Sequence, residues 1–400
     1  MSGSEKTAPG ERQSLVDALR GFALLGILVV NIASFSSTYY GAGIPDPMAQ
    51  SVLERAALLV RTLVFETKFY LLFSFLFGYS FTLQMQSAER GSKAFAPRMG
   101  RRLVGLVMLG VLHGCLLFYG DILHLYGLLC FLLLALYGSQ RRAIEIAAVL
   151  LLLAALMLAA LGVLVLLGGD GTPDLKPVFA KLAAFHGDAR STQAYVAGEF
   201  PSTVALLLFG QGPSAFAMFL LGMAAGREQL FARVEVLRAW LPRILRLGVL
   251  GGAGALFYAL ASEIAPGGAM IIFATALSVL TAPLLTAAYV AGLLMLFDSR
   301  HGPRVIAALA PMGKLALSNY LMQSLVMALL FTGYGTRLCG ELPPIAVLVL
   351  VPVIYLTQMA ISAWWLKHHT YGPAEWLLRA ITNWQFPPAS RIRINETNGT

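Results

Sequence analysis

The sequence predicts an all-α fold: a polytopic bundle of about ten transmembrane helices with both termini on the cytoplasmic side. Three observations carry that expectation. The chain is 58% hydrophobic and 12% charged over 400 residues, whereas soluble domains average about 25% charged residues. Its apolar residues come in runs close to the ~20 needed to cross a bilayer. Its Lys and Arg residues gather in alternate short loops. The net charge of +9 is therefore topological, not a nucleic-acid stripe, and nucleic acid is not an expected partner.

Residues 1–16 are polar and include Glu5 and Glu11, with no small-residue cleavage site after the first apolar run, so the first span is read as uncleaved. Spans are expected near 19–36, 66–86, 102–118, 121–138, 144–168, 203–225, 246–263, 269–297, 313–333 and 344–366. Residues 50–65 are amphipathic, with Glu54, Arg55 and Arg61, and read as an interfacial or re-entrant helix, or as an extension of the second span. The basic loops hold Arg90, Lys93, Arg98, Arg101 and Arg102; Arg141 and Arg142; and Arg227, Arg233, Arg238, Arg243 and Arg246. Loops 37–49 and 264–268 hold no Lys or Arg, and 334–343 holds only Arg337. Ten spans with cytoplasmic termini satisfy every short loop.

The chain divides into an N-terminal bundle at 1–168, an extracytoplasmic loop or cap at 169–202, a C-terminal bundle at 203–384 and a disordered tail at 385–400. In the cap, His186, Asp188 and Glu199 share no ligand spacing and read as solvated. Cys115, Cys130 and Cys339 fit no metal spacing either, so no metal is expected. The sequon at Asn395 carries no meaning on a cytoplasmic tail.

Four stretches can carry chemistry. Asp17 and Arg20 share a helix face at the inner mouth; Arg20 can hold a phosphate, or the pair can be a plain topological anchor. Asn31, further along the span, seeks a partner helix or a cavity. Glu66 and Lys68 should lie at the outer interface, where Lys snorkels, ahead of the small-residue pair Ser74 and Gly78. The stretch 101–129 starts at Arg101-Arg102, runs through Gly110, His113 and Gly114, and breaks at Tyr119-Gly120-Asp121 before His124. Ionisable groups inside a span are costly and commonly functional. On a straight helix His113 and Asp121 would lie ~12 Å apart, so their contact requires the break to fold back. The bland alternative is a hydrogen-bonded core His. The Gly110/Gly114 pair is compatible with a homodimer. Lastly, Asn319 and Gln323, like Gln358 and Ser362, are four apart and form polar stripes that line a cavity or bond each other. Lys367, His368, His369, Glu375, Trp376 and Arg379 then read as an interface anchor.

These stretches resemble the YeiB family of bacterial inner-membrane proteins. The matching segments are LVDALRGFALLGILVVNIASF at 15–35, KFYLLFSFLFGYSF at 68–81 and RRLVGLVMLGVLHGCLLFYGDIL at 101–123. The segments PMGKLALSNYLMQSL at 311–325 and YGPAEWLLRAIT at 371–382 resemble its C-terminal domain of unknown function. The N-terminal part also looks distantly like transmembrane acyltransferases, with which it shares the Asp-x-x-Arg-Gly opening at Asp17, Arg20 and Gly21. Those enzymes carry a His in or soon after the first helix, where this chain has Asn31.

The resemblance implies an acyltransferase that takes an acyl group from cytoplasmic acyl-CoA, such as acetyl-CoA, to a sugar, lipid or other small acceptor. Arg20, Arg101 and Arg102, with Asp17, would hold the donor, and His113 with Asp121 would act on the acceptor. Asn31, Glu66, Lys68, His124, Asn319, Gln323 and Gln358 would border the cavity. The alternative is a transporter or flippase that uses the polar stripes as its path, and a non-catalytic envelope protein is a third reading.

Overall fold

The computed structural model describes residues 9–90, 95–136, 140–169, 174–233 and 237–388. Lys93, the Asn395 sequon and most of the expected disordered tail lie outside them. Every regular element among the described residues is helical. α1 (Pro9–Ser36) is the axis of the molecule, and Leu19, Leu24 and Leu28 are fully buried along it. α2 (Val52–Val60) begins at a capping box between Ser51 and Glu54 and runs into a π-turn at Arg61–Phe65. Val52 and Leu53 stay exposed on it, as an interfacial helix requires. α3 (Lys68–Arg90), α4 (Phe95–Leu116), α5 (Leu123–Leu136) and α6 (Gln140–Gly168) complete the first half.

The segment expected as a cap holds α7 (Lys176–His186) and α8 (Ala189–Leu206). α8 is not a loop closure. It continues through a π-turn at Leu207–Gln211 into α9 (Gly212–Arg227), so the cap and the sixth expected span form one apolar stretch from Ala189 to Arg227. The rest of the chain holds α10 (Leu241–Ile264), α11 (Ala269–Phe297), α12 (Gly302–Lys314), α13 (Ala316–Phe331), α14 (Pro344–His368) and α15 (Pro373–Asn383).

Among the described residues seven helices are long and apolar enough to cross a membrane, or eight if α12 and α13, bent by 76°, make one broken span. The remaining two of the ten expected spans fall short for different reasons. α5 has 14 residues, ~21 Å of helix against a ~30 Å core. α3 carries Lys68, Ser74, Ser80, Thr82, Gln84 and Gln86, which dilute its hydropathy. Outward-facing Leu152, Leu153, Leu156, Leu164 and Leu167 of α6 are all exposed. In water they would be a liability, and against acyl chains they are the normal surface of a membrane protein.

Glycines set how closely α12 and α1 pack. A Cβ on Gly313 would overlap the Asp17 carbonyl, and one on Gly21 would overlap the Leu309 carbonyl. The two backbones therefore touch, which stands in for a hydrophobic force that lipid does not supply. A single core joins Leu24, Leu72 and Leu129 with Phe219, Met327 and Leu378. The two sequence halves thus share one interior. The molecule has two polar ends. The basic end gathers Asp17, Arg20, Arg101 and Lys314. The cap end gathers Ser36, Leu116, α7 and the 332–343 loop, tied by hydrogen bonds from Gly340 N to Ser36 O and from Tyr334 OH to Leu116 O.

Candidate functional site

α4 ends just past His113, whose carbonyl accepts from both Leu117 N and Phe118 N. Asp121 N then donates to Phe118 O, which closes a turn that sends α5 back along α4. The fold-back requires Gly110, because a Cβ there would overlap the backbone of His124 and press on the Asp121 carboxylate. The ~12 Å of a straight helix becomes direct contact. His113 Nδ1 lies 2.8 Å from Asp121 Oδ1.

Asp121 is fully buried and has four donors around it. His113 Nδ1 and Tyr320 OH (3.1 Å) serve Oδ1. His124 N (2.9 Å) and His124 Nδ1 (3.0 Å) serve Oδ2, the backbone bond in the manner of a helix N-cap. Hydrogen bonds to the charged form favour it, so the carboxylate fixes both imidazoles as their Nδ1–H tautomers. Each ring then keeps a lone pair on Nε2, and both Nε2 atoms are buried without a hydrogen-bond partner among the described residues. Two oriented, proton-accepting nitrogens with nothing to accept from are costly to leave in an interior. They are also what a general base needs.

The surroundings are aromatic. Phe118 stands edge-on to His113 and stacks on Phe35 of α1 with centroids 5.0 Å apart. Phe200 of α8 stands edge-on to His124 and fills the space over Gly114. The Gly110/Gly114 face expected for a homodimer is thus occupied within the chain. Neither the cavity lined by Arg61, Asp46 and Glu341 nor the one lined by Leu72, Phe75 and Leu241 borders the cluster.

The basic end holds the expected donor residues. Arg20 Nη1 pairs with Asp17 Oδ1 at 2.5 Å, and its other terminal nitrogen meets Ser80 Oγ. Arg102 lies in the field of Arg20, Arg379 and Glu375, and Lys314 acts on Asp17. Arg101 turns away and donates to Thr382 O at 2.9 Å. Lys314 and Arg379 were not among the expected donor residues. They sit about 200 residues or more beyond α4 in sequence, and only the fold brings them there. Tyr320 escaped the same way.

Several expectations are corrected. Lys68 does not snorkel: it is fully buried and donates to Thr62 O at 3.0 Å. Glu66 is buried too, bonded to Arg61 Nε at 3.0 Å and to Tyr258 OH at 3.4 Å. Of the two readings of the polar stripes, the structure shows mutual bonding, with Gln323 Oε1 buried and without a partner among the described residues. Asn319 Nδ2 donates to Ser362 Oγ at 2.9 Å, and Gln323 Nε2 donates to Gln358 Oε1 at 3.0 Å. Asn31 is half-buried, and its amide makes no hydrogen bond among the described residues. In the expected anchor, Glu375 reaches back to accept from Leu317 N and Ser318 N, capping α13. In the cap, Asp188 is the N-cap of α8, and the Ser191 backbone N–H holds its carboxyl below the usual range. His186 donates to Cys339 O at 2.7 Å. Lys181, which no local pattern singles out, is buried and donates to Ser34 O and Ser37 O at the end of α1.

Residues 225–385 match the family described as a protein of unknown function, DUF418. The uncharacterized protein YxaH of Bacillus subtilis (strain 168) is 31% identical over 428 residues, covering 98% of this chain and all of that one. The uncharacterized protein YeiB of Escherichia coli (strain K12) is 28% identical, covering 93% and 96%. An uncharacterized 39.9 kDa protein from the amylase 3' region of Bacillus acidopullulyticus is 29% identical, covering 94% and 96%. Tyr320, Lys314 and Arg379 all fall inside the matched region, so that region contributes side chains to both ends of the molecule. This chain belongs to the YeiB-like family of membrane proteins, which carries the DUF418 domain in its C-terminal part.

Proposed function

We propose that this chain is a membrane acyltransferase, with ten spans and both termini on the cytoplasmic side of the bacterial inner membrane. It moves an acyl group from acyl-CoA at the basic end to an acceptor at the cap end. The observation that carries the reading is the buried His113–Asp121 pair at 2.8 Å with an unpartnered Nε2 beyond it. Arg20 and Arg102, joined by Lys314 and Arg379, would hold the phosphates of the donor by charge-assisted bonds. Along α4, Arg102 and His113 are separated by ~16 Å, the distance the thioester arm has to cover.

In the reaction, His113 Nε2 takes the proton from an acceptor hydroxyl or amine as that atom attacks the thioester carbonyl. The carbonyl carbon becomes tetrahedral. Collapse breaks the C–S bond, and the CoA thiolate leaves and takes up the proton from the imidazolium. Asp121 keeps Nδ1 protonated throughout and balances the imidazolium charge without itself taking the proton. Phe35 and Phe118 stand between the wall of α1 and His113, so turnover requires Phe118 to swing aside. The hydrogen bonds between the polar stripes, Asn319 to Ser362 and Gln323 to Gln358, favour this reading over a transporter that would use the stripes as its path. The test is CoA thiol release from acetyl-CoA by purified protein supplied with a membrane extract as acceptor source. Wild type should release thiol and His113→Gln should not. Equal release by both would refute the assignment.

A further inference from the structure

At the cap end lies a cavity of about 240 Å³, separate from the His113 cluster. One wall is aliphatic: Ile32 of α1 with Leu348 and Val351 of α14. The lining also carries charge, with Arg61, Asp46 and Glu341. Arg61 uses Nε on Glu66 and lies 4.8 Å from the centre of the Tyr40 ring, but its two terminal nitrogens bond nothing among the described residues. Asp46 is held in place by Ser37 Oγ at 2.6 Å and Met48 N at 2.9 Å. Glu341 is exposed, with His186 Nε2 3.9 Å from its carboxylate. The lining therefore offers a guanidinium fork with two free nitrogens and two carboxylates, beside an apolar slot.

The wall on the Arg61 side is the end of α2, the amphipathic helix whose Val52 and Leu53 are 86% and 60% exposed. Such a helix lies at the depth of lipid headgroups, which places the mouth of the cavity at that level. A sugar would leave the aliphatic wall uncovered. A purely anionic lipid would satisfy Arg61 but face two carboxylates.

We infer that the cap-end cavity binds a zwitterionic aminophospholipid. Its phosphate sits on Arg61, its ammonium between Asp46 and Glu341, and the start of its apolar part against Ile32 and Val351. As a statement about binding it stands without the transferase reading; as the identity of the acceptor it rests on that reading. In the second sense the bound ammonium first gives one proton to solvent at the cavity mouth, and the resulting amine attacks the thioester while His113 takes the second proton.

The experiment titrates dihexanoyl phosphatidylethanolamine into purified full-length protein in neutral detergent by calorimetry, with dihexanoyl phosphatidylglycerol as the matched control. Saturable binding is expected, about ten-fold tighter for the ethanolamine lipid, because only its headgroup pairs with both signs of charge. Glu341→Gln, an exposed change that leaves the fold alone, should weaken it about three-fold. Leu348→Trp should fill the slot and abolish binding. His113→Ala should bind normally, which separates failure of this inference from failure of the catalytic assignment. Equal affinity for the two lipids, or full binding by both Glu341→Gln and Leu348→Trp, would overturn it.

Discussion

Asp121→Asn should separate stability from activity. The substitution keeps the shape of a fully buried side chain and removes its charge. Asp121 now serves four donors. The new amide oxygen keeps its place opposite His124, whose backbone N–H cannot reverse its role. The NH2 group then faces His113 and Tyr320. The phenol can rotate and accept, and His113 can accept at Nδ1 only by moving its proton to Nε2. Because the partners adapt, the cost is that of about one net hydrogen bond plus the lost charge assistance, about 2 kcal/mol. Asp121→Ala offers no such adjustment. It strands four donors where no water reaches, and should cost about 4 kcal/mol, a large part of a total stability of roughly 5–15 kcal/mol. The same tautomer shift that rescues the fold of Asp121→Asn removes the lone pair from Nε2. Its acyl transfer should therefore fall by at least about 10²-fold, as for loss of a general base. The assays are denaturant unfolding in detergent, 15N chemical shifts of labelled His113 and CoA thiol release. If Asp121→Asn keeps both full transfer and the Nδ1–H tautomer, the reasoning about the pair is refuted.

Other expectations follow from single contacts. Gly110→Ala should cost about 1–3 kcal/mol and speed hydrogen exchange at the His124 amide, because its Cβ meets backbone at the α4–α5 corner. Lys181→Met leaves the Ser34 and Ser37 carbonyls without their cation and should cost about 1–3 kcal/mol; limited proteolysis should then cut near α7 first. A double-mutant cycle on Gln323→Leu and Gln358→Leu should give a coupling of about 0.6 kcal/mol or more, and zero coupling would contradict the stripe-to-stripe bond. Burial pushes the Cys339 thiol up to about 11. At pH 8 that residue should resist maleimide in the folded protein and react once it is unfolded.

The sequence disclosed what depends on local pattern. Apolar runs marked the spans, and the break at Tyr119-Gly120-Asp121 marked the turn that brings Asp121 back to His113. The amphipathic 50–65 stretch marked the short helix α2 and the π-turn after it. What it concealed depends on distant partners. Nothing near Tyr320 says that its hydroxyl will meet a carboxylate 199 residues earlier, and nothing near Lys181 says that it will cap α1. Snorkelling of Lys68 failed because it presumes a free end. Thr62 O on the preceding π-turn instead gives the ammonium a buried acceptor. The polar stripes at 319–323 and 358–362 allowed either a pore or a pair of zippered helices, because spacing fixes a face and not what the face meets.

The measurement closest to the central claim is CoA thiol release by purified His113→Gln protein beside wild type, from acetyl-CoA and phosphatidylethanolamine, with both proteins shown to melt alike. Wild type should release thiol and form an acylated lipid, and His113→Gln should be slower by about 10²–10⁴-fold. Transfer at the wild-type rate by the folded variant would contradict the assignment of His113 as the base.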